Sequence, residues 1–265
     1  MQTHPPDQAI EEDGPPQAVS LDAVSKVFGH AGDATHALDR VTLDVARGEF
    51  VCLIGASGCG KSTLLNLVAG LDQPTSGTVM VRANRTSLMF QESALFPWLT
   101  VRGNVELALR LDGVPKSQRR GRVHELLELV HLEDFADKRP HELSGGMRQR
   151  TALARALAQE SDVLLMDEPF GALDAMTRDL LHDELEALWT RTGLTVLFVT
   201  HNVREAVRLG NRVVLLTSRP GRIAEEYPVD SGRPRRIDSS QVAELAATIT
   251  DRLREEVRRH GDPRS

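Results

Sequence analysis

A chain of 265 residues with 40% hydrophobic content is long enough for one large α/β domain or two small ones, and can fill a sizeable core. No window approaches about eighteen apolar residues and no charged-then-apolar leader opens the chain, so neither a membrane span nor a secretion signal is expected. A net charge of −6 argues against a general nucleic-acid binder, and two cysteines build no disulfide framework.

Residues 1–17 carry Pro5, Pro6, Pro15 and Pro16 among polar and acidic residues with little apolar surface to bury, which predicts a disordered tail. From Val19 the pattern turns to β. Leu21 to Phe28 forms one strand, and Val41, Leu43 and Val45 alternate with Thr42 and Asp44 in the next, as an antiparallel layer. By spacing alone Phe28 reads as a core residue.

The run Phe50 to Ile54 predicts a buried parallel strand that breaks at glycine into G-x-x-x-x-G-K-S, Gly55 to Ser62, followed by a helix with Leu64, Leu65 and Val68 on one face. This is strand, phosphate loop, helix. Gly55, Gly58 and Gly60 let backbone N–H groups curl toward one anion, Lys61 would reach β- and γ-phosphates, and the Ser62 hydroxyl would complete a Mg²⁺ shell. Cys59, beside a helix N-terminus and close to Lys61, is expected to be a reactive thiol that bound nucleotide covers, and Cys52 to be buried.

Short strands follow at Thr78–Val81 and Leu88–Phe90, the second ending at Gln91 on the carboxyl edge of the sheet, where open α/β folds place ligands. The period then changes to 3.6, giving a helical lobe over about 92–158 with Val123, Leu126, Leu127 and Val130 on one face. Its last helix starts at Leu143-Ser144-Gly145-Gly146, a second anion-seeking helix end.

Val163 to Met166 is again a buried strand, followed at once by Asp167 and Glu168; two carboxylates at a buried strand end need a cation or a proton. Asp167 suits the Mg²⁺ shell, and Glu168 suits polarising a water against a γ-phosphate. Gly171 to Asp174 leads into a helix with Leu181, Leu185 and Leu188 inward, then a strand from Thr195 to Val199 ends in Thr200-His201, a third polar delivery to the same edge. Arg212 to Thr217 is a further strand. The segment 233–265 reads as a helical tail from Gln241, with Val242, Leu245, Ile249, Leu253 and Val257 in one stripe that packs on its own domain.

Phe28, GASGCGKS, Gln91, LSGGMRQR, LLMDEPFGALD and His201 resemble, in order and interval, the ATP-binding subunits of ABC transporters, over about Val19 to Ile223. Within them FQESALFPWLTVRGNV, DEPFGALDAMTR and LTSRPGRI look like the importer branch for nitrate, aliphatic sulfonates and taurine. The resemblance implies an α/β fold of P-loop NTPase (RecA-like) type, a parallel sheet core with an antiparallel β layer and a helical subdomain, occupying 18–232. It implies ATP and Mg²⁺ as ligands. Phe28 would stack adenine; Gly55, Ala56, Ser57, Gly58, Cys59, Gly60, Lys61, Ser62 and Thr63 would bind the phosphates. Gln91 would touch the Mg²⁺ or its water, Asp167 would hold Mg²⁺ with Ser62, Glu168 would be the base, and His201 would contact the γ-phosphate. Ser144, Gly145, Gly146 and Met147 would serve the second copy's nucleotide, and Asp174 would shape that interface.

The partners implied are a second copy of the chain, transmembrane permease subunits and, through them, an external solute-binding protein, with the chain peripheral on the cytoplasmic face of the cell membrane and no nucleic acid involved. Met147 stands where Gln is commoner, Asn202 where Asp often follows His, and the stretch from Gly77 to Gln91 is short. A DNA-maintenance ABC protein would insert a long coiled coil between loop and signature. A GTPase would need Asn-Lys-x-Asp, and no Asn here precedes Lys.

Overall fold

The computed structural model describes residues 16–29 and 33–261. Most of the expected N-terminal tail lies outside these residues; Gln17 already begins strand β1 (Gln17–Phe28), opposite Ala46 of β2 (Thr35–Ala46). With β4 (Ser76–Val81) these make an antiparallel sheet of order β2-β1-β4. In β2, Val41, Leu43 and Val45 are buried and Thr42 and Asp44 exposed, the alternation of a strand with one wet face.

The second sheet has the order β5-β6-β7-β3-β8-β9, with β3 at Phe50–Ile54, β5 at Thr86–Met89, β6 at Val163–Asp167, β7 at Thr195–Val199, β8 at Arg212–Leu216 and β9 at Ile223–Pro228. Five of these strands run parallel. β9 pairs antiparallel with β8 and is an edge strand without clean alternation, which is why the sequence pattern did not mark it. In β3, Phe50, Cys52 and Ile54 enter one hydrophobic cluster while Val51 and Leu53 enter another on the opposite face. Burial on both faces explains the unbroken apolar runs.

Helix α1 (Lys61–Val68) follows β3, and α2 (Val101–Leu111), α3 (Lys116–Leu129) and α4 (Gly145–Leu157) form the helical lobe, with 3₁₀ turns at Glu133–Phe135 and Pro140–Glu142. The lobe has no separate core. Val105, Leu109, Val123, Leu127 and Leu153 share one cluster with Phe50, Leu164 and Phe198 of the sheet. The sequence singled out α3 and α4 but not α2, whose Gly103 and Asn104 are poor helix formers. Asn104 is fully buried, accepting from Phe96 N (2.8 Å) and donating to Thr100 O (2.9 Å), so it ties the loop after Gln91 to the lobe.

Helix α5 (Ala175–Thr192) precedes β7, and α6 (Val203–Leu209) precedes β8. Helix α7 (Ser240–Gly261) buries Val242, Ala246 and Ile249, and Leu245 and Leu253 pack against the same cluster, so the expected stripe packs on its own chain as far as Leu253, while Val257 is largely exposed. The link into α7 is held by Arg235, which donates to Gly210 O (2.6 Å) and Val229 O (2.7 Å); burial lowers its pKa to about 10.

Candidate active site

The phosphate loop leaves β3 at Gly55 and ends at Gly60, the N-cap of α1, whose φ of 96° lies in the left-handed region. A Cβ on Gly60 would sit 2.7 Å from Ala37 O, so any side chain there would collide with backbone as well as strain the turn. Lys61 Nζ donates to Gly55 O (2.9 Å) and Ala56 O (3.0 Å), folded back over its own loop. Phe28, Ser57, Gly58, Lys61, Ser62, Thr63, Gln91 and Glu168 line one open cleft of ≈ 430 Å³. Phe28 is 45% exposed there, with Lys26 Nζ 5.0 Å from its ring centroid. It is therefore not a core side chain.

Cys59 corrects the sequence expectation. Its side chain is fully buried, turned into the cluster beneath the loop, and its Sγ lies 2.7 Å from where a Gly55 Cβ would be. A thiol so enclosed is not open to maleimide from solvent. Cys52 is also buried, as expected, and desolvation pushes its thiol pKa well up.

The parallel strands deliver their polar ends to a common edge. Glu168 follows β6 with φ 46°, an uncommon backbone state for a side chain of its size, and its N–H is held by Val199 O at 3.0 Å. Its Oε2 accepts from His201 Nδ1 (3.1 Å) and from Gln91 Nε2 (3.4 Å). Residues far apart in sequence thus meet on one carboxylate oxygen. Burial raises the Asp167 pKa, a hydrogen bond from Ser62 opposes this, and the neighbouring Glu168 charge adds to the rise. No group of three or more His, Cys, Asp or Glu side chains suited to a metal occurs among the described residues. A hydroxyl and a carboxylate in contact, beside the phosphate loop, fit a hard cation that takes its remaining ligands from phosphate oxygens and water.

Ser144 caps α4, its Oγ accepting from Met147 N at 3.2 Å, and Asp174 caps α5 through Thr177 N at 3.0 Å. A Cβ on Gly146 would meet Leu173 Cδ2 at 3.0 Å, so the Gly145-Gly146 turn packs closely on the segment leading to Asp174. None of Ser144, Gly145, Gly146, Met147 or Asp174 lines the cleft that holds Lys61. The fold keeps the two anion-seeking helix ends apart within one chain.

Two residues enter the site that the sequence did not single out. Arg219 lines the cleft and donates from Nε to Gly58 O at 3.1 Å. Gln149, buried on α4, donates from Nε2 to Gln91 O (3.2 Å) and Glu168 O (3.5 Å), linking the helix that Ser144 starts to both active-site turns. Both lie in quoted stretches, but only long-range packing brings them here.

The family model described as ABC transporter matches residues 38–171. The chain belongs to the ABC transporter family. This ABC ATPase, an ATP hydrolase coupled to transport, is 47% identical to a taurine import ATP-binding protein of Roseobacter denitrificans, over 74% of this chain and 76% of the relative. It is 46% identical to a nitrate import ATP-binding protein of Synechocystis sp., over 78% and 80%. Among solved structures, a dimeric ATP-binding cassette in a post-hydrolysis state with ADP and Pi matches at TM-score 0.74 and 34% identity, covering 81% of this chain and all of that one. No helix among the described residues is long and apolar enough to cross a membrane.

Proposed function

We propose that this ABC ATPase energises an importer for small anions of the nitrate, sulfonate or taurine class, working as a homodimer on the cytoplasmic face of the membrane. The observation that carries the site assignment is the convergence of Gln91 and His201 on the Glu168 carboxylate, beside the cleft that contains Lys61. Glu168 is the general base for the attacking water, and His201 and Gln91 set its orientation. Phe28 stacks the adenine, and Gly55 to Thr63 hold the phosphates, with Lys61 swinging from its two carbonyls onto the nucleotide. Ser62 and Asp167, with Gln91 nearby, hold Mg²⁺, which neutralises phosphate charge.

The separation of Ser144 to Met147 from this cleft supports the second copy as the source of the signature helix, as does the dimeric state of the solved relative. Asp174 then lies at the facing interface. A permease helix docks beside Gln91, where Trp98 is 67% exposed and packs tilted against Phe96 at 5.4 Å, which Arg155 covers. The anion class rests on the names of the relatives at 46–47% identity. It is tested by identifying the solute on the binding protein that copurifies with the chain and its permease.

Glu168→Gln tests the chemistry. It is expected to retain ATP binding, to slow hydrolysis by roughly 10²- to 10⁴-fold, and to accumulate an ATP-dependent dimer in size-exclusion chromatography. Near-normal turnover would remove Glu168 from the role of base.

A further inference from the structure

Behind the His201 turn runs a buried polar chain that no step above uses. Arg208 Nη1 donates to His182 Nδ1 at 3.0 Å. Arginine has no acceptor, so in this hydrogen bond Nδ1 accepts and the ring's donor is Nε2. Its hydrogen goes to Glu205 Oε1 at 2.6 Å, and Glu205 Oε2 accepts from the Thr200 hydroxyl. Thr200 Oγ1 in turn accepts from Asn202 N (3.0 Å), bridging across His201, while Asn202 Oδ1 accepts from Glu205 N (3.3 Å). His182, Glu205 and Arg208 are all buried.

The same chain touches the other catalytic turn. The His182 ring packs edge-on against Phe170 at 5.1 Å, and Glu205 lines a small cavity together with Glu168 and His201. At its far end Arg208 grips Asp179 (3.2 Å) and Asp183 (2.5 Å) of α5, the helix that Asp174 caps. A buried carboxylate and guanidinium cost more desolvation than a packed apolar pair would, so stability alone gives a weak reason for this arrangement.

We propose that Glu205, oriented by His182 and Arg208, is a positioning residue that holds the His201 turn against Glu168 and ties it to α5. Its two oxygens have distinct duties. One fixes the His182 ring; the other takes the Thr200 hydrogen and so leaves the hydroxyl oxygen free to accept Asn202 N. Glutamine cannot serve both, because its amide N–H₂ faces either the His182 Nε2–H or a hydroxyl that then has no acceptor.

The inference rests on the role given to His201, and a double-mutant cycle separates the two. Turnover and KM are measured for the full chain, Glu205→Gln, His201→Ala and the pair. Glu205→Gln is expected to lower kcat about ten- to a hundredfold, with KM for ATP within roughly twofold, and to add nothing in the His201→Ala background. Additive losses, or losses that follow only the unfolding temperature, would overturn the positioning role and leave His201 in place. A His201→Ala chain with full turnover would overturn both. If Glu205→Gln does not fold, Thr200→Val removes only the hydroxyl bridge and enters the same cycle with the same expected non-additivity.

Discussion

Asp167 sits where a carboxylate is hard to keep ionised: burial raises its pKa and the adjacent Glu168 charge adds to the rise, while Ser62 and Lys61 only partly offset this. A carboxyl whose folded pKa lies above its unfolded one stabilises the fold below the ordinary Asp range, and that contribution is lost as pH rises through the folded pKa. At neutral pH the ionised group therefore costs stability. Asp167→Asn is expected to raise the thermal midpoint of nucleotide-free protein at pH 7, with the gain vanishing below about pH 4, where the wild-type group is protonated in both states. An equal gain at both pH values would mean that charge is not the cause. The cost is consistent with a residue kept for cation binding rather than for the fold.

At the scale of elements, α7 shows where local pattern and packing part. Val242, Ala246 and Ile249 recur at helical spacing and are buried, and α7 lies against α6. Ile249 is fully buried, so Ile249→Ala should lower unfolding stability by about 2–5 kcal/mol in denaturant titration. A loss under about 0.5 kcal/mol would show that α7 contributes little to the folded unit. Val257 continues the stripe in sequence yet is 48% exposed, although Leu253 one turn earlier packs on the core and the neighbouring Glu256 is buried. Periodicity identified the face, and tertiary packing decided how much of it is covered.

At the scale of the molecule, one chain offers a phosphate loop and a signature helix that do not share a cleft. In the head-to-tail arrangement, mixing Lys61→Ala chains with Ser144→Arg chains places both lesions on one composite site and leaves the other intact. Such mixtures should form an ATP-dependent dimer with about half the wild-type turnover per mixed dimer if the sites act independently, measured by phosphate release, while each variant alone is inactive. Inactive mixtures that bind ATP without dimerising would exclude the arrangement.

Much of this architecture was legible in the sequence because its determinants are local. Apolar runs such as Val163 to Met166 reflect burial on both faces, and the Ser144 and Asp174 caps act within one helical turn. The glycine at position 60 answers to one left-handed φ. The helical lobe, the antiparallel layer and the polar ends of β5, β6 and β7 were all visible in this way. Cys59 was not, because whether a loop side chain faces ligand or core depends on the rotation of the loop over the sheet beneath it. Nor were the contacts of Arg219 with Gly58 and Gln149 with Gln91, made across 161 and 58 residues. Local sequence determines which groups stand at strand and helix ends; which of them share a carboxylate, or a cavity, is decided only when strands distant in the chain become neighbours and exclude every other arrangement by packing.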